Sequence, residues 1–294
     1  MPEIGVVHLV RAGNNPALFG RFLESYRLNS GGIPHELIII FKGFSGADAL
    51  EEYRGLLKNI PHKELEIPDR GRDLTAYFLA AAAFSYRYFA FLNSFSVLLD
   101  PDWLSKLYKY ASGDEVGIAG ATGTCESLYT NLFSTPIRFY NRPILRRVRA
   151  LCFPLRWPYF RALFPSWPNH HVRTNAFMMR REIFLKIRPR APRGKMAAAR
   201  FESGKHGLTR QILRMGLKTL VVGRNAVAYD KEHWFESNTF WQGRQENLLV
   251  ADNQTRLYSE GSPEQRRFLS KQAWGKLSRP ETGSAARIDL NTPF

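Results

Sequence analysis

Short apolar runs of strand length alternate along this chain with stretches of helical periodicity, and that alternation confines it to an α/β fold with parallel strands and right-handed crossovers. Ile4 to Val10 reads as a largely buried first strand, Glu36 to Phe41 as a second, Tyr88 to Leu92 as a third and Val116 to Gly120 as a fourth. After the first strand, Asn15 is placed to cap a helix with Pro16 at its first position, and Leu18, Phe19, Phe22, Leu23 and Tyr26 then recur on one face. Ala47 to Lys58, Leu74 to Phe84 and Pro101 to Tyr110 are expected as further helices. Beyond them, Ala176 to Arg180 reads as a strand and Arg181 to Ile187 as a short helix. A helix then opens on Glu202 and runs to about Met215, and Lys218 to Val222 is the last clear strand. The fold class is a doubly wound, mostly parallel sheet, which takes its ligands beyond the carboxyl ends of its strands.

Charge is the unusual bulk property. The net charge of +16 is concentrated between Arg138 and Arg200, where 16 Lys and Arg face one acid, Glu182. The rest of the chain is close to balanced, so the excess is a local patch for an anionic surface or partner. Within it, residues 138–170 form a proline-broken, basic and aromatic insertion. Ile144, Leu145, Val148, Leu151 and Cys152 share a helical face opposite Arg146, Arg147 and Arg149. A basic amphipathic helix with aromatic neighbours is the sequence form of an interfacial membrane contact. No recognised nucleic-acid motif accompanies the patch, and no nucleic acid is expected as a partner. No run approaches the roughly 18 apolar residues of a membrane span. The N-terminus lacks the layout of a signal peptide, and Cys125 and Cys152 give no disulfide framework. A cytoplasmic protein, peripheral to the inner face of the membrane, is the expectation.

Candidate site residues fall in loops that the fold reading places near the carboxyl edge of the sheet. Arg11 closes the first strand. Asp69, Arg70, Arg72 and Asp73 form a charged turn around Gly71, with Asp73 placed to cap the following helix. Asn93, Ser94 and Ser96 follow the third strand, and Arg173 and Asn175 precede the strand from Ala176. Arginine forks suit phosphate oxygens. The polar run Gln242 to Gln254 reads either as a lid or as a hydrogen-bonded brace.

In order and spacing over roughly Ile4 to Asp230, the chain resembles the GT-A glycosyltransferases, in particular those of the bacterial family 2 type. The carriers are the charged turn before an alanine-rich helix, Asp100-Pro101-Asp102-Trp103-Leu104, the segment Asn175 to Phe184, and Phe201-Glu202-Ser203. The resemblance implies a nucleotide-sugar donor, and a glycan or lipid-linked acceptor in cell-envelope or polysaccharide synthesis. It makes Glu202 the general base; helical spacing, not the resemblance, puts His206 one turn on, placed to orient it. It also puts Asn93, Ser94 and Ser96 where the family carries metal-binding aspartates, so the expectation is that no metal or other cofactor is required. Residues 1–230 are expected as the catalytic domain and 231–294 as an extension packed on it. The competing expectations are a degenerate fold of the same type kept as a binding or scaffold protein and, ranked behind it, a nucleic-acid-binding protein using the basic patch.

Overall fold

The computed structural model describes residues 2–134, 153–189 and 194–279. Eight strands form its main sheet: β1 (Ile4–Arg11), β2 (Glu36–Lys42), β3 (Lys63–Ile67), β4 (Tyr88–Leu92), β6 (Val116–Gly120), β9 (Ala176–Arg180), β10 (Lys218–Val222) and β11 (Ala228–Tyr229). Their spatial order is β11-β10-β6-β9-β4-β1-β2-β3. β1 pairs in parallel with β2 and β4, and β2 with β3. β9 runs antiparallel to both of its neighbours, β4 and β6. The amino end of β9 therefore meets the carboxyl ends of the strands beside it.

Both faces are covered, which is why the strands read as continuous apolar runs. On one face α1 (Pro16–Leu28), α2 (Ala47–Leu56) and α4 (Trp103–Ala111) bring Phe22, Tyr53 and Trp103 against Val6, Ile39 and Ala90. On the other, α3 (Asp73–Ala83), α7 (Arg181–Lys186), α8 (Gly194–Ser203) and α9 (Leu208–Arg214) bring Tyr77, Phe184, Phe201 and Leu208 against Val7, Phe91 and Phe177. The Asn15 cap is present, with its side chain accepting from Ala17 N at 2.9 Å.

Three local expectations change. β3 was missed because its sequence, Lys-Glu-Leu-Glu-Ile, carries three charges; it is the edge strand, where charge discourages pairing with another chain. Asp73 is the first helical residue of α3, with Arg72 at the cap position and no side-chain cap bond. Glu202 does not open a helix. It is the last but one residue of α8, which Gly204 and Gly207 separate from α9. The amphipathic stretch Ile144 to Cys152 lies outside the described residues.

Residues 231–279 join the same core. Trp234, Phe240, Tyr258 and Trp274 all belong to the cluster that holds Tyr77 and Phe177. β12 (Val250–Ala251) pairs with β5 (Val97–Leu98), just beyond the turn that ends β4. α10 (Asn253–Ser259) and α11 (Pro263–Trp274) follow. Gln242 and Gln245 act as braces: the Gln242 amide donates to Phe235 O and Leu277 O, and that of Gln245 to Thr255 O.

Candidate functional site

At the carboxyl ends of β1, β2 and β3 the sequence-expected residues gather around one they did not include. Lys42 is the last residue of β2, and its side chain is fully buried. Its ammonium hydrogen-bonds the carboxylate of Asp69 and donates to Gly71 O at 3.1 Å. A buried ammonium without such partners would cost far more than the packing of its stem returns. Arg11 lies 3.6 Å from the same Asp69 oxygen and 3.9 Å from Asp73. The Lys42 hydrogen bond, more than any other contact, holds the Asp69 carboxyl below the usual carboxylate range. Burial raises that of Asp73 against the pull of Arg11, Lys42 and Arg72. Gly43 and Gly71 both have positive φ, at 78° and 70°. A Cβ on Gly43 would stand 2.8 Å from Asp69 Cβ, so the close approach of β2 to this loop needs glycine. Arg70 is exposed and Arg72 half-buried, and neither makes an ion pair among the described residues.

At the end of β4 the chain makes a tight Asx turn. Asn93 Oδ1 accepts from Phe95 N at 3.0 Å and from Ser96 Oγ at 3.1 Å, while Asn93 N donates to Asn175 O at 2.9 Å. The Asn93 side-chain oxygen and the Ser96 hydroxyl are thus spent on the turn. Ser94 is buried and its hydroxyl has no hydrogen-bond partner among the described residues. It borders a small cleft with His8, Arg11, Asn14 and Tyr53. Arg256, on α10, donates to Phe95 O at 3.2 Å and so brings a half-buried guanidinium to this turn. Asp100 is spent on the turn that leads into α4: it accepts from Asp102 N at 2.9 Å and from Lys106 Nζ at 2.7 Å, and Asp102 at the cap position makes no side-chain cap bond.

The segment before β9 supplies the third side. Arg173 stacks on Phe240, 4.1 Å from the ring centre, and pairs with buried Asp252 at 2.8 Å. It is therefore held in place by the extension. Asn175 accepts from Thr122 Oγ1 at 2.8 Å through Oδ1. Thr174 donates both its N–H and its hydroxyl to Glu202 Oε1, at 2.7 and 3.1 Å. His206 does not orient Glu202: it is exposed, its ring contacts Arg214 at 3.0 Å, and Thr174 is the residue that fixes the carboxylate.

Glu126 is a second acid here that the sequence reading missed. It follows β7 (Gly123–Thr124), which pairs with β8 (His171–Val172), and it accepts from Asn131 at 3.1 Å. Burial pushes its carboxyl up, and the charges of Arg173 and Glu202 both reach it. A lone acid among small polar residues carries no sequence signal. Only the β7 and β8 pairing brings it back to the segment that holds Glu202.

No family model matches the chain, and no curated protein matches it in sequence. Among solved structures, it is similar to the mannosyltransferase PcManGT from Pyrobaculum calidifontis in complex with GDP-Man and Mn2+. That likeness has 13% identity, covers 78% of this chain and 57% of that one, and has a TM-score of 0.47. It is also similar to glucosyl-3-phosphoglycerate synthase from Mycobacterium tuberculosis with Mn2+, UDP and phosphoglyceric acid, at 19% identity, 62% and 56% coverage and a TM-score of 0.36. A further structure of that synthase holds Mg2+ and UDP, at 18% identity, 62% and 57% coverage and a TM-score of 0.34. The chain spans just over half the length of these structures.

The expectation that no cofactor is required does not stand, because these structures hold Mn2+ or Mg2+ beside their nucleotides. The turn after β4 nevertheless does not fit a divalent ion through its own side chains. Asn93, Ser94 and Ser96 bring no carboxylate, two of the three are spent on the turn, and hard cations take carboxylate and phosphate oxygens. No step below is routed through a metal. The sheet itself meets the expectation: it is doubly wound and mostly parallel, with its polar cluster at the carboxyl edge, the layout anticipated from the resemblance to GT-A glycosyltransferases.

Proposed function

We propose that this protein transfers a sugar from a nucleotide-sugar donor to a hydroxyl of a glycan or lipid-linked acceptor. One observation carries the reading: Glu202 is held by Thr174 at the segment entering β9, on the sheet edge that also gathers Arg11, Asp69 and Asp73. In this reading Asp69 and Asp73 face the nucleoside, and the guanidinium groups of Arg70 and Arg72 face the diphosphate. Both Thr174 bonds go to Glu202 Oε1, which leaves Oε2 for the proton of the acceptor hydroxyl. As that proton moves to Oε2, the acceptor oxygen bonds to the anomeric carbon and the bond to the diphosphate oxygen breaks, in a single displacement.

The test is turnover of GDP-mannose and UDP-glucose, measured with and without Mn2+. Glu202→Gln keeps an oxygen for Thr174 and is expected to lower turnover by about 10²–10⁴-fold while nucleotide-sugar binding persists. Full activity in that variant would remove Glu202 from the mechanism. Wild-type binding without turnover across acceptors would favour the scaffold reading.

The acceptor side is placed at an anionic membrane surface through the basic segment 138–200. What supports this among the described residues is α6 (Phe153–Leu163), where Tyr159 is 50% exposed and Arg161 lies 5.4 Å from the Trp157 ring centre. The protein is expected to float with vesicles containing phosphatidylserine and to be released by salt. Salt-sensitive binding to oligonucleotides with none to vesicles would overturn the membrane assignment.

A further inference from the structure

Two polar groups near the centre of this edge are buried without a hydrogen-bond partner among the described residues. One is the phenol of Tyr77, fully buried on α3; the other is the side-chain amide nitrogen of Asn175, whose oxygen is already taken by Thr122. Burying such groups unpaired costs about 1–3 kcal/mol each, and native proteins retain few of them.

Their positions are related. α3 starts at the carboxyl edge, and helical side chains lean toward the helix N-terminus. Tyr77 lies one turn after Asp73, so its hydroxyl leans toward that edge. Its ring stacks on Phe91 at 4.9 Å and meets the edge of Phe177 at 6.2 Å. Phe91 and Phe177 are opposite each other in the β4 and β9 pairing. The next outward rung on the same face joins Asn93 to Asn175. Tyr77 and Asn175 thus follow one another along one side of the sheet toward its edge. The phenol feels the charges of both Asp73 and Glu202, and burial above all keeps it protonated, hence a donor, well above its usual range.

We propose that Tyr77 Oη and Asn175 Nδ2 form the subsite that hydrogen-bonds the hydroxyls of the transferred sugar, between the nucleoside end at Asp73 and the base Glu202. A ring hydroxyl both donates and accepts, so it completes a phenol and an amide NH2 while reaching the flanking carboxylates. The proposal rests on the donor reading above and assigns the sugar's place within it.

The test compares UDP and GDP with UDP-glucose and GDP-mannose by calorimetry, on the wild type and Tyr77→Phe, alongside their melting temperatures. A hydroxyl without a protein partner contributes nothing to the fold, so Tyr77→Phe is expected to melt at the same or a higher temperature. It should bind UDP and GDP as the wild type does and bind the wild type's preferred nucleotide sugar about tenfold more weakly. Unchanged nucleotide-sugar affinity overturns the subsite. So does a lowered melting temperature with equal losses for all the nucleotides, which marks a packing role. A wild type that binds UDP or GDP and gains nothing from the attached sugar overturns the subsite alone. One that binds none of the four probes overturns the donor reading, and the subsite with it.

Discussion

His8 shows how a single buried side chain sets an acid limit on the fold. It sits in the middle of β1, 1% exposed, stacked flat on Phe22 with ring centres 3.6 Å apart. Its Nδ1 has no hydrogen-bond partner among the described residues, and burial lowers its pKa to about 3. The unfolded chain takes up the proton near 6.5, whereas the folded chain does not until about 3. The group's contribution is therefore fully present above the unfolded value and is lost as pH falls below it. Between pH 7 and 5 the wild type is expected to lose about 2 kcal/mol more than His8→Phe in urea unfolding. Equal losses in the two proteins would show that His8 is not the titrating group. At this same scale the candidate site was partly legible. Arg11 could be found because it closes an apolar strand, and Asp69 and Asp73 because they flank a glycine in a charged turn before an alanine-rich helix. Lys42 could not, because a lysine at a strand end gives no sign that it is buried and paired with a loop 27 residues on.

At the scale of elements, the capping box of α10 ties the extension to the site. Asp252 accepts from Gln254 N and Thr255 N, and Asp252 N donates to Thr255 Oγ1. The other carboxylate oxygen meets Arg173. Asp252→Ala removes the cap and leaves Arg173, 12% exposed, without its counter-charge. A loss of about 3–5 kcal/mol in denaturant unfolding is expected, and a loss below about 1 kcal/mol would show that stacking on Phe240 alone holds the guanidinium. The sequence made strand and helix identities plain wherever the apolar pattern was strong, as in β1, β2, β4 and β10. It misplaced Glu202 because one helix was carried across Gly204 and Gly207, which divide α8 from α9.

At the scale of the whole molecule, residues 231–279 contribute to the core as much as any crossover helix. Trp234, Phe240, Tyr258 and Trp274 are each no more than 1% exposed. Loss of a buried aromatic side chain costs about 3–5 kcal/mol, against a total stability of about 5–15 kcal/mol for a domain. A chain ending at residue 230 is accordingly expected to show no cooperative unfolding transition by circular dichroism. A sharp transition would mean that the sheet folds without its extension. The sequence reading packs this tail on the catalytic domain and takes its glutamine run as a lid or a brace; Gln242 and Gln245 satisfy backbone groups inside the fold.

The short pairing of β7 with β8 has a consequence for how such a chain can change over time. Gly123 and Thr124 face Val172 and His171, so the stretch between them leaves the sheet and returns to it through one two-rung clasp. Beside the clasp, Cys125 N donates to Ala273 O and Ser127 Oγ to Pro165 O, while the register of β6 and β9 is set by their own pairing. The two ends of the stretch open beside Glu126 and Arg173. Under the transfer reading proposed above, acceptor preference would be changed through this stretch while the sheet and Glu202 stay unaltered.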